Sequence, residues 1–230
     1  MLSYFSTFLV VLSLAIAAYF YQFMPPQVLV PWGRSGGYAN KFWGLFALPF
    51  LALAFFVMTF AISRYFFYKK NIYSETKNYN FSAIGVKKFI NYYDGLVLAV
   101  VLFLGYFLAL VLFKNSGVAI NINRFLVIGT GLLIFYLGVI VSQAKSSWFR
   151  HESEKKVISE KDWNKWILFS GVLFMISGGV SILGSWVPQY SWYFVGVPVV
   201  VSIILIFVYT KFFLKKRSTR RKANFTTISG

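Results

Sequence analysis

The amino-acid sequence predicts an all-α integral membrane protein with six transmembrane helices and with both its N- and C-termini in the cytoplasm. Three observations support this fold class: 58% of the 230 residues are hydrophobic, only 13% are charged, and the apolar residues form long runs. A water-soluble domain carries about 25% charged residues, so this chain lacks the polar side chains to cover a globular surface. The absence of Cys excludes disulfide scaffolds, zinc–thiolate and iron–sulfur sites, and cysteine nucleophiles.

Six apolar runs are long enough to cross a bilayer, whose hydrocarbon core of about 30 Å takes roughly 20 residues of helix. The runs, which contain no internal Lys, Arg, Asp or Glu, are Leu2–Phe23, Phe42–Ser63, Gly95–Phe113, Phe125–Val141, Trp166–Gly184 and Trp192–Thr210. We expect helices because an open strand in lipid leaves its backbone groups unpaired. Pro49 and Pro198 lie inside the second and sixth runs, where we expect a kink and neighbouring helices that satisfy the freed carbonyls.

Basic residues give the orientation, because cytoplasmic loops of membrane proteins are enriched in Lys and Arg. With a cytoplasmic N-terminus, the inner segments hold 19 Lys and Arg and the outer segments hold 4. Tryptophans favour membrane interfaces and mark the same two boundaries. They are Trp32, Trp43, Trp186 and Trp192 on the outer side, and Trp148, Trp163 and Trp166 on the inner side. The sequence therefore predicts a multi-pass protein of the plasma membrane.

The first run has an alternative interpretation as a signal peptide, because Ala15-Ile16-Ala17 resembles a cleavage site. Residues 1–10 lack Lys and Arg, however, and the apolar run is long for a signal peptide. We expect the run to be retained; its removal would leave five spans in the same orientation.

The chain divides into four predicted parts. Residues 1–67 form a two-helix unit with an outer loop rich in Pro, Trp and Gly, and residues 68–94 form a cytoplasmic loop. Residues 95–210 form a four-helix membrane part, followed by a basic cytoplasmic tail, 211–230.

An interfacial helix is predicted within the cytoplasmic loop. Ser82 is a suitable N-cap residue, and an apolar face recurs at helical spacing before Asp94-Gly95, where we expect the helix to break. The residues of that face are Val86, Phe89, Ile90 and Tyr93.

The outer loop, residues 24–41, contains three Pro and three Gly and is expected to be irregular. Its segment Val28-Leu29-Val30 is too short to span and is expected to dip into the interface. One interpretation is a tight connection anchored by Trp. The other is an outward-facing ligand-binding surface, since Trp, Tyr and Arg dominate binding hot spots. Its candidate residues are Trp32, Arg34, Tyr38 and Lys41.

The tail carries more basic residues than topology requires. Such a cluster beside a membrane attracts anionic lipid headgroups, which we favour over a protein partner or direct nucleic-acid binding. The candidate lipid-contacting residues are Lys215, Lys216, Arg217, Arg220, Arg221 and Lys222.

Residues 145–165 hold four of the six acidic residues and the single His. His151 with Glu152 and Glu154 is too sparse a set for a metal site, and a solvated charged loop is the preferred interpretation, so we predict no metal and no cofactor. The spacing of Ser159 and Asp162 is that of a capping box and predicts a helix start at Ser159.

Small residues recur every four positions in the fifth run, at Ser177, Ser181 and Ser185. This spacing allows close helix packing. We expect packing inside the bundle, with homodimerisation as the open alternative.

Several chemistries lack their residues. The sequence contains no Walker motif, no His-Glu-x-x-His and no Gly-x-Ser-x-Gly. None of the six runs contains a carboxylate, whereas ion-coupled carriers usually place one near the midplane. We therefore predict that the chain is not an enzyme; a small-solute transporter or a channel-like protein remains the competing class.

The outer loop resembles the SdpI-type bacterial membrane proteins and the small family of unknown function whose short domain forms their N-terminal part. That domain has a loop of the form Pro-x-x-Ile-Pro-x-His-Trp, then Gly…Asp-Gly-Tyr-x-x-Lys, between two helices. The matching residues here are Pro25, Val28, Trp32, Gly37, Tyr38 and Lys41, with Pro49 in the following span. The family's His, Asp and second Pro are replaced by Pro31, Gly36 and Leu29.

The second half is similar in layout. The family has a Gly-rich fourth span, a basic linker and a Leu-Ser-x-x-x-Trp-like start to the fifth. The corresponding residues are Gly131, Gly138, Lys145, Ile158, Ser159 and Trp163. The family's Asn and its Gly-x-Arg-Thr segment in the linker have no counterpart here.

The resemblance implies a six-span protein that protects its producer from a secreted peptide toxin. In some members it also implies capture of a cytoplasmic transcriptional regulator at the membrane. Here the outer charges are all basic, so we expect a neutral, amphipathic or acidic ligand.

Overall fold

The computed structural model describes residues 2–31, 37–76, 83–143, 160–187 and 189–226. Six long helices account for most of them: α1 Leu2–Tyr21, α2 Lys41–Thr76, α3 Ala83–Asn115, α4 Ile122–Gln143, α5 Glu160–Gly184 and α6 Ser191–Thr226. Two short strands, β1 Gln27–Leu29 and β2 Tyr38–Asn40, lie between α1 and α2.

Each helix contains a segment that is long and apolar enough to cross a membrane, which confirms the six predicted runs. The segments are Tyr4–Tyr21, Lys41–Ser63, Tyr93–Asn115, Ile122–Gln143, Lys161–Gly184 and Trp192–Lys211. Successive helices run in opposite directions. The connections α1–α2, α3–α4 and α5–α6 therefore share one end of the bundle, here called the hairpin end.

The predictions for residues 24–41 and 68–94 need correction. The fold is not purely helical, because β1 and β2 pair as an antiparallel hairpin where an irregular loop was expected. Asp94-Gly95 does not break a helix, because α3 passes through both residues. A continuous helix keeps its backbone groups bonded where water is scarce. Within the expected cytoplasmic loop, residues 77–82, which include Ser82, lie outside the described residues, and the side chains of the predicted face at Val86, Phe89 and Ile90 are not described.

The ends of two other helices can be compared with the boundaries predicted from the sequence. The helix α5 begins at Glu160, one residue after the predicted start. The helix α6 continues to Thr226, so the backbone of the basic tail is largely helical.

The first half of the bundle, α1–α3 with the hairpin, is held together by one apolar core. Its fully enclosed members include Ala17 on α1, Val28 on β1, Leu45 on α2 and Val111 on α3. The hairpin is therefore part of the core of this half.

The second half, α4–α6, packs through small residues. On α4, Gly131 and Gly138 face Gly178 and Gly171 of α5 in antiparallel register. A Cβ at Gly138 would stand 2.6 Å from the backbone oxygen of Gly171. The two backbones are thus in direct contact, as close packing through small residues allows.

Hydroxyl groups join α5 to α6. The Ser177 and Ser202 hydroxyls lie 2.7 Å apart, and Trp166 Nε1 donates to Thr210 Oγ1 at 2.8 Å. Pro198 has no N–H for the carbonyl of Phe194 one turn earlier. Ser181 Oγ lies 3.0 Å from that oxygen and 2.8 Å from the carbonyl oxygen of Ser177, and its hydrogen can be donated to either. The expectation that a neighbouring helix satisfies the freed carbonyl is confirmed at Pro198. The serines that recur every four positions, Ser177, Ser181 and Ser185, are buried inside the bundle.

The helices α3 and α4 join the two halves. The Tyr106 hydroxyl donates to the carbonyl of Phe125 at 2.8 Å, and the Tyr106 ring fills the space where Gly129 lacks a side chain. Leu110 packs beside this contact with Ile122 and Leu126.

Candidate functional site

The hairpin owes its shape to the alternation of buried and partly buried residues along the chain and to one glycine. Val28 and Val30 are completely buried, whereas Leu29 between them is only partly buried. Gly37 precedes β2 with a φ of 78°, a conformation that L side chains rarely adopt, and its carbonyl accepts a hydrogen bond from Val30 N. The chain thereby turns β2 back against β1, with Val28 opposite Ala39.

The start of α2 packs against the hairpin. A Cβ at Gly44 would stand 2.9 Å from Val28 Cβ, so only glycine lets the strand lie this close. The side chain of Asn40 caps α2, its Oδ1 accepting from Phe42 N at 2.9 Å. Lys41 N donates to the carbonyl of Pro26 at 3.0 Å, which closes the hairpin at its base.

Asn115, the last residue of α3, fixes the other edge of β1. Leu29 N donates to Asn115 Oδ1 at 2.8 Å, and Asn115 Nδ2 donates to the carbonyl of Leu29 at 2.9 Å. Asn115 Nδ2 also donates to the carbonyl of Val111 at 2.7 Å, which orients the amide. The side chain imitates a neighbouring strand and covers an edge that would otherwise be open.

A groove lies between the hairpin and the α3–α4 connection. It is a wide, open groove with a volume of about 560 Å³. The residues that line it are Leu29, Pro31, Lys114, Ala119, Ile120, Asn121, Ile122 and Asn123.

The groove combines one apolar wall with a polar rim. Leu29, Pro31 and Ile120 supply apolar surface, and Lys114 supplies a half-buried cation. Asn121 Oδ1 caps α4 by accepting from Arg124 N at 3.2 Å. None of the lining residues carries a carboxylate, imidazole, thiol or hydroxyl group, so the chemistry of these described side chains suits binding.

Two of the four candidate ligand-binding residues, Tyr38 and Lys41, are described by the structure. Tyr38 lies on β2 with 56% of its surface exposed. Lys41 is the first residue of α2, and its ammonium lies 4.5 Å from the centre of the Tyr21 ring. Neither residue lines the groove. Trp32 and Arg34 lie outside the described residues.

Sequence reasoning missed the residues that the α3–α4 connection contributes. Lys114 and Arg124 were counted only among the four basic residues of the outer segments, and Asn115 and Asn121 were not predicted to have a role. A signal was present, because amide residues cluster where the third span ends and the fourth begins. Nothing in the sequence pairs that cluster with Leu29, which lies 86 positions before Asn115.

The remaining candidate residues lie where side chains are not described. The backbone of the basic cluster, which consists of Lys215, Lys216, Arg217, Arg220, Arg221 and Lys222, belongs to α6. His151, Glu152 and Glu154 lie outside the described residues. Within the described part of the chain, no group of three or more His, Cys, Asp or Glu is placed to hold a metal ion.

Comparison with known proteins assigns no relative: no family model, no curated protein and no solved structure matches this chain. The resemblance to SdpI-type proteins therefore stays a prediction carried by the residues of the outer loop.

Proposed function

We propose that this chain is a receptor of the plasma membrane, of the toxin-immunity or signal-relay type, whose outer surface binds a peptide toxin or another envelope ligand. The observation that carries the proposal is the groove of about 560 Å³ beside strand β1, whose two edges are hydrogen-bonded to β2 and to Asn115. A wall held by β2 on one side and Asn115 on the other is preorganised, which lowers the entropy lost on binding.

The positive-inside rule supports an outward-facing groove. With 19 of the Lys and Arg in one set of segments and 4 in the other, the poorer set belongs outside, and it contains the hairpin and the α3–α4 connection. Both termini are then cytoplasmic. Reporter fusions after Ser185 and at Gly230 test this topology; cytoplasmic signals of equal strength from both fusions would contradict it.

The composition of the groove suggests the class of ligand. A peptide with an apolar side chain fits the wall formed by Leu29, Pro31 and Ile120, and an acidic side chain or a C-terminal carboxylate fits Lys114. The rim has no described acidic residue to attract a cationic toxin. We therefore propose a neutral, amphipathic or acidic peptide, with Trp32, Arg34 and Tyr38 as additional contacts.

Survival of a deletion strain beside neighbouring toxin-producing strains tests the function. The wild-type gene should restore survival, and Lys114→Ala should weaken protection by about tenfold in toxin dose, the effect of losing one charge-assisted hydrogen bond. Arg124→Ala is the matched control, because Arg124 is an exposed basic residue near the groove but does not line it.

Two further variants test the outer loop, residues 24–41, separately from the groove. Trp32→Ala and Tyr38→Ala should lose protection at normal membrane levels if this loop contacts the ligand. If deletion changes neither survival nor transcription, the receptor function is wrong. Proton- or sodium-driven uptake of a solute by reconstituted vesicles would favour the transporter instead.

A further inference from the structure

Four aromatic rings cover the exposed side of α2 next to the hairpin. Phe42, Phe46 and Phe50 recur every four residues and therefore share one face of the helix. Their ring centres lie between 5.1 and 6.1 Å apart, and the Tyr21 ring of α1 lies 6.0 Å from that of Phe46. Phe42 and Phe50 are each 40% exposed, and Tyr21 is 39% exposed. These four rings, here called the aromatic patch, form an apolar surface outside the groove.

Lys41 places one positive charge at the edge of the aromatic patch. Its ammonium lies 4.5 Å from the centre of the Tyr21 ring, and the side chain is half-buried. An ammonium has three N–H donors, and a ring face attracts the charge without supplying a lone pair to each of them. Among the described residues, no oxygen accepts a hydrogen bond from Lys41 Nζ. Its donors are therefore available to an acceptor outside the protein.

The chain supplies no negative charge at this end of the bundle. None of the six acidic residues belongs to the α1–α2, α3–α4 or α5–α6 connection or to the helix turns beside them. The same parts of the sequence contain four basic residues, Arg34, Lys41, Lys114 and Arg124. Because these cations have no carboxylate nearby in the sequence, their field attracts anions from the surroundings.

The bilayer is the nearest source of an anion for Lys41. The candidate membrane-spanning segment of α2 begins at Lys41, so its ammonium lies at the level of the lipid headgroups. Phe50 follows nine residues later, which is about 13 Å at the helical rise and close to the depth of one leaflet, about 15 Å. A cation above an apolar surface of this length complements a phospholipid, whereas a free phosphate would use the cation but not the rings.

We propose that Lys41 and the aromatic patch bind one anionic phospholipid, with its phosphate at the Lys41 ammonium and an acyl chain against the rings of Phe42, Phe46 and Phe50. A headgroup with a net negative charge is favoured, because a zwitterionic headgroup carries its own cation beside the phosphate. One Lys near an anionic surface changes binding by about fivefold. The site lies at the opposite end of α6 from the basic cluster of the tail, and it does not depend on the proposed receptor function.

Photo-cross-linking of the full-length protein in nanodiscs tests the proposal. The probes are phosphatidylglycerol and phosphatidylcholine with the same diazirine-bearing acyl chain, each added as the same small fraction to phosphatidylcholine nanodiscs. Mass spectrometry of the cross-linked peptides should show about fivefold stronger labelling of residues 42–50 by the phosphatidylglycerol probe. Lys41→Ala should remove this preference, and Lys41→Arg, which keeps the charge, should retain it.

Arg124→Ala is the matched control. It removes one exposed positive charge at the same end of the bundle and leaves Lys41 and the aromatic patch intact. The preference for phosphatidylglycerol at residues 42–50 should be unchanged in this variant.

The contradicting results are equally specific. Equal labelling of residues 42–50 by the two probes in the wild type means that the patch is ordinary lipid-facing surface, and the proposal fails. A preference that survives Lys41→Ala, or one that Arg124→Ala removes to the same extent, assigns the selectivity to the overall charge of the protein and also overturns the site. If Lys41→Ala does not fold, Lys41→Gln decides by the same comparison.

Discussion

The helices α1–α3 interlock through large apolar side chains, whereas α4–α6 approach one another through glycine and serine. In the first half, Leu45, Leu108 and Val111 fill the space between the helices and the hairpin. In the second half, Gly138 and Gly171 bring two backbones into contact, and serine hydroxyls connect the third helix.

The difference follows from what each half encloses. Lipid tails are as apolar as Leu, so burying apolar side chains gives little net driving force in a membrane, and helices associate through packing and hydrogen bonds. In the first half, the buried valines of the hairpin and large apolar side chains of the three helices share one core. Between α4 and α5, glycines face each other and permit close approach of the two backbones.

Alanine substitutions at two neighbouring glycines on α5, Gly178 and Gly179, should show the largest difference in stability. A Cβ at Gly178 would stand 2.5 Å from Phe135 N and 2.6 Å from the carbonyl oxygen of Gly131, and backbone atoms cannot move aside. Gly178→Ala should therefore destabilise the protein by about 3 kcal/mol, the upper end of ordinary overpacking. Unfolding by SDS in mixed micelles measures the change.

The adjacent residue is the control. A Cβ at Gly179 would meet nothing within 4 Å, so Gly179→Ala should be neutral or stabilising by up to about 1 kcal/mol through helix propensity. Equal effects at the two positions would show that α4 and α5 do not pack as described.

In the first half, stability should fall when a buried apolar side chain of the core is shortened. Leu108 is 2% exposed, and Leu108→Ala should cost about 2 kcal/mol because it leaves a cavity in the core. Leu102 on the same helix is 47% exposed, and Leu102→Ala should change stability by less than about 0.5 kcal/mol. The same SDS titration compares them; losses of equal size at the two positions would contradict the packing of α3 described above.

Removing the side chain of Asn115, which anchors the hairpin, should have a local effect on hydrogen exchange. Asn115→Ala removes two hydrogen bonds to Leu29, so amide hydrogens around Leu29 and Val30 should exchange about tenfold faster. Hydrogen-exchange mass spectrometry of the reconstituted protein measures this change. Asn123→Ala, on the rim of the groove, should leave the exchange unchanged; faster exchange in both variants would point to general loosening.

The smallest expected effect lies at Pro198. Ser181→Ala leaves the carbonyl of Phe194 without its donor and should cost about 0.6 kcal/mol, the average for hydrogen bonds between membrane helices. In a Pro198→Ala background, the backbone N–H gained at position 198 can bond that carbonyl within α6, so the cost should fall towards zero. A double-mutant cycle without such coupling would show that the serine serves another purpose.

The candidate site was predictable only in part. The sequence singles out residues 24–41 because Pro, Gly and Trp separate two apolar runs there. It did not identify the hairpin, since β1 has three residues and eight positions separate it from β2. The groove was also missed, because one wall comes from that hairpin and the other from the connection after Asn115.

The sequence by itself determined the six helices. Apolar runs of about 20 residues in a bilayer have to satisfy their own backbone hydrogen bonds, and that requirement is local. Only the tertiary structure decided which side chains meet. The pairing of Gly138 with Gly171, of Ser181 with the carbonyl of Phe194, and of Asn115 with Leu29 depends on distances between helices that are remote in sequence. Periodicity within one helix specifies a face and its chemistry, but the partner of that face is fixed only when all the helices pack at once.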